Sequence, residues 1–256
     1  MKISIQAILI TVCICVLAIS ANQLFTYFKA DKKAEEGFSS LLPEELAGAD
    51  AIVATPEDDG FTFEELLPYY KKLLEENEDF VGWIRIPGTR VSYPVMQTFD
   101  SPEFYLDRDF EKQYSASGTI FANSINNVNL PSDVVTLYGH RMKTGAMFGS
   151  LGDFLNEDFL LEHDTIVFDT LGGGRKEYKV YTVFSMSVSE NDRFAYYRYS
   201  MFPDEEAFNE FMDRVQEIQS VSNPVNRPSF GEPILLLSTC EYSHEDGRLV
   251  IVATLK

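Results

Sequence analysis

Three residues in this chain are of types that could carry acyl-transfer chemistry: Cys240, His140 and Arg248. Cys240 ends the run Ile234-Leu235-Leu236-Leu237-Ser238-Thr239, and the other two cysteines, Cys13 and Cys15, lie in an N-terminal apolar stretch. The body of the chain therefore holds one thiol, which has no internal disulfide partner. A thiol becomes a nucleophile as its thiolate, and a nearby imidazolium stabilises that form. His140 follows Val134-Val135-Thr136-Leu137-Tyr138-Gly139, where a glycine can turn the chain and leave an imidazole exposed at a strand end. His163, in Leu161-Glu162-His163-Asp164, reads as a structural residue of a solvated turn, and His244 lies in the polar loop that follows Cys240. No second cysteine or compact histidine pair completes a four-ligand zinc site, so no metal or cofactor is expected.

Seven loop residues separate Cys240 from Arg248, which opens the run Leu249-Val250-Ile251-Val252-Ala253-Thr254. If the two runs are neighbouring strands, a hairpin returns Arg248 beside Cys240, with Arg248, Val250 and Val252 on one face. A fixed cation there suits an oxyanion formed on a carbonyl under attack. A surface pairing of Arg248 with Glu245 or Asp246 is an equally open reading of the spacing.

The elements that must position these groups follow from periodicity. Phe63, Leu66, Leu67, Tyr70, Leu73 and Leu74 recur at helical spacing behind a Thr62 cap, with Glu64 and Glu65 in the first turn and Pro68 as a potential bend. From Phe80 onward, short runs alternate with turns: 83–86, 91–95, 118–121, 134–138, 165–168, 178–185, 234–239 and 249–254, with Gly172-Gly173-Gly174 as a hairpin turn. Many short strands at this spacing indicate a mostly β barrel or sandwich. A helix near 203–219 carries the stripe Phe208, Phe211, Met212, Val215 and Ile218, with Pro203 in its first turn, and reads as a cover on the barrel. A second short helix is expected at 147–159.

Three segments are expected: 1–28 a membrane signal anchor, 29–60 an acidic stem, and 61–256 the catalytic domain. Ile3 to Ala21 carries no charge, and nineteen helical residues at ~1.5 Å each nearly match a ~30 Å hydrocarbon layer. A cleaved signal peptide competes with the anchor. The stem reads as a tether with a short helix at 43–47. Residues 31–79 hold fifteen acidic against four basic side chains, and the whole chain is at −19. Such a surface repels nucleic-acid phosphates and anionic headgroups, which excludes a nucleic-acid partner.

The motifs together resemble the sortases, cysteine transpeptidases of Gram-positive cell surfaces, and most closely class B. The family's Thr-Leu-x-Thr-Cys strand is matched by Leu236-Leu237-Ser238-Thr239-Cys240, its Tyr-Gly-His by Tyr138-Gly139-His140, and its arginine by Gly247-Arg248-Leu249-Val250. Gly82-Trp83-Ile84, Tyr93-Pro94-Val95, Ser117 to Phe121, Met147-Phe148 and the helix at 203–219 are also similar. The resemblance implies a closed sortase-type β-barrel with an N-terminal amphipathic helix and a helical insertion before the last strands. It implies a membrane enzyme with an extracellular catalytic domain. Its partners would be secreted proteins bearing a C-terminal Asn-Pro-x-Thr-Gly/Asn-like sorting motif and a peptidoglycan cross-bridge amine or its precursor. In that reaction Cys240 attacks the threonine carbonyl, Arg248 stabilises the oxyanion, and His140 protonates the leaving amine. If the thiol titrates above the imidazole, the thiolate–imidazolium form is a minority at neutral pH.

Leu106, Ser238, Glu241 and Tyr197 are the expected substrate-binding residues. For Tyr196, Tyr197 and Tyr199, motif contact and simple packing stand as equal readings, and Thr239 is expected to face away from the groove as support. Two departures from the family pattern stand out. Leu236 replaces a usual Thr and is expected to alter the groove wall, and Asn123 stands where class B often has Asp. Hydrolysis by the same residues, pilin polymerisation, and a non-catalytic membrane scaffold are the rival functions.

Overall fold

The computed structural model describes residues 5–42, 61–125, 127–187, 194–241 and 247–256, and at Cys240 and Glu241 it describes the backbone. The strands are β1 (Phe80–Arg85), β2 (Ser92–Met96), β3 (Ile120–Ala122), β4 (Val134–Tyr138), β5 (Thr165–Thr170), β6 (Gly174–Ser187), β7 (Gln219–Ser222), β8 (Ile234–Glu241) and β9 (Gly247–Leu255). They pair in the order β5-β1-β2-β3-β4-β8-β9-β6-β7, and a β5–β6 pairing closes eight of them into a barrel with β7 as an extra strand on β6. Closure removes the free strand edges that an open sheet would expose. The β2–β3 and β4–β8 pairs are parallel, and the other neighbours are antiparallel. The glycine-rich hairpin joins β5 to β6 as expected, with Gly174 at φ +69°. β7 escaped the sequence reading because Gln219-Ser220-Val221-Ser222 has a largely exposed, polar surface and no apolar run.

Alternation along β8 and β9 sorts the core into two sides. Leu235, Leu237, Leu249, Ile251 and Ala253 join the main cluster with Trp83, Ile84 and Ile120. Leu236, Val250 and Val252 join a second cluster with Phe208, Phe211, Met212 and Val215. Those four residues belong to the insertion helix, Glu205–Ile218, which thus covers one face of the β8–β9 pair. Each such buried side chain contributes about 1.5–3 kcal/mol. Asp204 caps this helix by accepting from the Ala207 amide at 2.9 Å, so Pro203 precedes the cap and lies outside the first turn. The segment expected as one helix at 147–159 is a 3-10 stretch, Gly149–Leu155, followed by an α-helix, Glu157–Glu162, that Asn156 caps.

In chain order, the α-helices are α1 (Ile5–Ser39), α2 (Phe63–Glu76), α3 (Glu157–Glu162) and α4 (Glu205–Ile218). α2 begins with a capping box between Thr62 and Glu65 and runs unbroken through Pro68. It is fastened by a buried polar cluster. Asp169 on β5 accepts from the Tyr70 hydroxyl (2.8 Å), from Arg85 of β1 (2.8 Å) and from two nitrogens of Arg175 of β6 (2.9 and 3.1 Å). Burial alone would raise the Asp169 carboxyl, but Arg175 and Arg85, with the Tyr70 hydroxyl, outweigh it and hold it below the usual range.

α1 extends beyond the expected anchor. Its C-terminal part occupies residues assigned to the stem, and Phe38 packs edge-on against Tyr93 with centroids 5.7 Å apart. The first part of the stem is therefore helix docked on the barrel, and the short helix expected at 43–47 lies outside the described residues. Among the described residues, no helix is long and apolar enough to cross a membrane.

Candidate active site

β8 and β9 are antiparallel with Cys240 directly opposite Arg248. The hairpin postulated from sequence thus places these two positions as cross-strand neighbours, whose Cβ atoms typically lie ~4.5–5.5 Å apart. By the two-residue period, position 240 falls on the Ser238 face of β8. β8 pairs on its other side with β4, with Ser238 opposite Tyr138, so the chain following Tyr138 delivers His140 to the same end of the sheet. Three distant stretches of sequence meet because β8 is the strand between β4 and β9.

A groove of about 690 Å³ opens there, and its lining includes Leu106, Asn123, Tyr138, His140, Tyr197 and Arg248. Its floor includes Ser238, which is buried and shares a 2.8 Å hydrogen bond with the Tyr196 hydroxyl. Burial raises the Tyr138 phenol above its ordinary value, with Tyr196 adding to the shift while Asn123 and Arg248 oppose it. The phenol is therefore neutral at physiological pH.

The His140 ring is set by backbone. Its Nε2 lies 2.7 Å from the Leu106 carbonyl, which can only accept, so Nε2 carries a proton and Nδ1 is the ring nitrogen outside this bond. Leu106 ends a 3-10 turn, Phe104–Leu106, and Gly118 packs beneath it at φ +59°. A Cβ at Gly118 would come within 2.6 Å of the Tyr105 carbonyl oxygen and closer still to that of Leu106. Only glycine lets that segment reach the imidazole. Gly139 has a comparable role: a Cβ there would lie 2.8 Å from Phe148 Cδ2 and nearer to Ile120 Cδ1. Phe148 also donates its amide to the His140 carbonyl at 3.0 Å. Gly139 thus serves close packing against Ile120 and Phe148 and not a left-handed turn.

Arg248 is partly buried, lines the groove, and donates to its neighbouring Gly247 carbonyl at 3.0 Å. Of the four expected substrate-binding residues, Leu106, Tyr197 and Ser238 line the groove, while Glu241 is placed through its backbone opposite Gly247. Among the three tyrosines, Tyr196 and Tyr197 both line the groove, Tyr196 while buried, and Tyr199 packs with its ring 4.9 Å from Phe211. Leu236 does not form the groove wall. It is fully buried against α4, because the face it shares with Ser238 passes under that helix before reaching the open end. Thr239 is buried, on the opposite face of β8 by alternation, and it also borders the groove. His163 is structural but not solvated: Nδ1 lies 3.2 Å from the Pro87 carbonyl and the ring packs 4.3 Å from Phe159. His244 lies outside the described residues, and among those described no group of three or more potential ligands could hold a metal.

Asn123 also lines the groove, where its side chain bonds Tyr138 and the Tyr197 carbonyl. It was noted as a departure from a family pattern, but its partners come from separate segments and leave no spacing signal.

A sortase-domain family model matches residues 84–256. Sortase B of Listeria monocytogenes is 32% identical over 218 residues, 84% of each chain. Sortase B of Staphylococcus aureus is 30% identical over 194 residues, covering 75% of this chain and 76% of the relative. The structure of a Staphylococcus aureus sortase B–substrate complex superposes with TM-score 0.66 at 29% identity, over 76% of this chain and 91% of the other. Sortase B from Bacillus anthracis, in complex with AAEK1, gives 0.63 at 31% identity over 73% and 83%. With a closed barrel, a helical insertion on the β8–β9 face and these relatives, the chain belongs to the sortase family of cysteine transpeptidases, in class B.

Proposed function

We propose that Cys240 is the nucleophile of this transpeptidase, that His140 is its proton carrier and that Arg248 is its oxyanion partner. The observation that supports this is the β8–β9 register, which sets Cys240 against Arg248 at the groove that His140 also lines. The Cys240 thiolate attacks the threonine carbonyl of an Asn-Pro-x-Thr-Gly/Asn-like sorting motif, and the Arg248 guanidinium balances the charge on oxygen. The proton lost by the Cys240 thiol is held at His140 Nδ1 as the imidazolium, and as the C–N bond breaks the leaving amine takes it from there. The thioester holds the acyl group until a peptidoglycan cross-bridge amine attacks it. His140 takes that amine's proton, the C–S bond breaks, and the thiolate is restored.

The uncharged run Ile3–Ala21 supports a membrane anchor, and the peptidoglycan amine of the proposed reaction places the barrel outside the cell. Carbonate extraction and protease accessibility of the expressed chain test this; release into the soluble fraction would refute it. For the chemistry, the enzyme is incubated with peptides of the Asn-Pro-x-Thr-Gly and Asn-Pro-x-Thr-Asn types and a panel of amines, and the products are weighed. Transfer to amine and a thioester mass lost in Cys240→Ala are expected. Hydrolysis alone across the panel would overturn the transfer reading, and unchanged turnover in Cys240→Ala would overturn covalent catalysis.

A further inference from the structure

We infer that Asn123 is a positioning residue, whose side-chain amide holds the Tyr197 wall of the groove in register with the β4 wall that leads to His140. Asn123 follows β3 and lines the groove. Its Nδ2 donates to the Tyr197 carbonyl at 2.7 Å and to the Tyr138 hydroxyl at 3.1 Å, while its Oδ1 accepts from the Ile125 amide at 3.1 Å. One small side chain therefore joins β4, the segment before α4 and its own loop. The backbone is held as well: its amide donates to the Thr136 carbonyl at 2.9 Å and its carbonyl accepts from Gln97 Nε2 at 2.7 Å.

The amide has one satisfactory orientation. Flipping it would set Oδ1 against the Tyr197 carbonyl oxygen and Nδ2 against the Ile125 N–H, opposing like groups at both contacts. The position thus requires a donor toward Tyr197 and an acceptor toward Ile125. An ionised aspartate supplies only acceptors. It would keep the Ile125 bond and press a negative oxygen against the Tyr197 carbonyl. A protonated aspartic acid could donate again. The clamp in this chain is consequently independent of carboxyl titration, and Asn123→Asp would make it dependent on pH. The tyrosines near position 123 are Tyr138, Tyr196 and Tyr197; Arg248, His140 and Glu103 also line the groove, and all are shared by the wild type. The quantity to read is therefore the ratio of variant to wild type.

This inference rests on the transpeptidase reading only for its kinetic part. Amide hydrogen exchange of the segment 194–199 is compared in wild type, Asn123→Asp and Asn123→Ala, without substrate. Faster exchange there in both variants is expected, with exchange at β8 and β9 unchanged. With internally quenched sorting peptides, KM should rise about tenfold in both variants, the scale of one lost hydrogen bond and an orphaned carbonyl, while kcat stays within about twofold. For Asn123→Asp alone, the KM ratio should fall as pH is lowered from 8 toward the carboxyl range near ~4. Unaltered exchange at 194–199 in a folded Asn123→Ala would overturn the inference whether or not the peptides turn over. If Asn123→Asp does not fold, the Asn123→Ala exchange and KM decide alone. A wild type that turns over no peptide would count against the proposed substrate and leave the exchange result standing.

Discussion

Replacing Gly139 by alanine adds one methyl group that points at Ile120 and Phe148, one residue before His140. The new Cβ would lie 2.8 Å from Phe148 Cδ2 and closer still to Ile120 Cδ1, both side chains being fully buried. Carbon atoms prefer about 3.5–4.0 Å, so something must move by about an ångström. Ile120 and Phe148 are packed in the main core and yield poorly, which directs much of the strain to the chain at 139–140. Overpacking of this kind costs about 1–3 kcal/mol of stability. The more telling effect is local. The 2.7 Å bond from His140 Nε2 to the Leu106 carbonyl fixes the ring, and a shift of about 1 Å in a reacting group can cost about a hundredfold in rate. Gly139→Ala should therefore lower kcat by about ten- to a hundredfold while leaving a folded barrel, with KM for a sorting peptide little changed. Stopped-time product analysis gives kcat and KM, and thermal unfolding gives stability. The rate of Cys240 alkylation checks that β8 is intact. Wild-type kcat together with an unchanged melting temperature would refute the packing argument for His140.

Two further outcomes follow from the core. The Asp169 carboxyl is held below the usual range in the folded state, so its contribution to stability is present above its unfolded value of ~3.9 and is lost as pH falls through its lower folded value. Asp169→Asn should flatten the acid limb of a stability–pH curve and lower stability near neutrality by about 3–5 kcal/mol, because Arg85 and Arg175 lose their counter-charge; an acid limb as steep as that of the wild type would count against this. Leu236→Thr restores the residue type usual in the family but places a hydroxyl under α4. A loss of about 1–3 kcal/mol in chemical denaturation with an unchanged KM is expected, and a changed KM with unchanged stability would return Leu236 to the groove.

The barrel's strand-rich character, the capped helix α2, the insertion helix with its apolar stripe and the three residues of the proposed chemistry are all legible in the amino-acid order. These are local signals: two- and 3.6-residue periods, a Thr62–Glu65 cap, and motifs a few residues long. What each face of those elements touches depends on how the chain packs in three dimensions. Alternation put Leu236 and Ser238 on one face, but only the footprint of α4 determines that the first is sealed and the second floors the groove. The docking of Phe38 on Tyr93, the Asp169 cluster, the Leu106 carbonyl on His140 and the Asn123 clamp all join residues distant in the chain. Their strength comes from burial and from hydrogen-bond geometry, which arise only once the barrel closes, and neither leaves a periodic trace in the sequence.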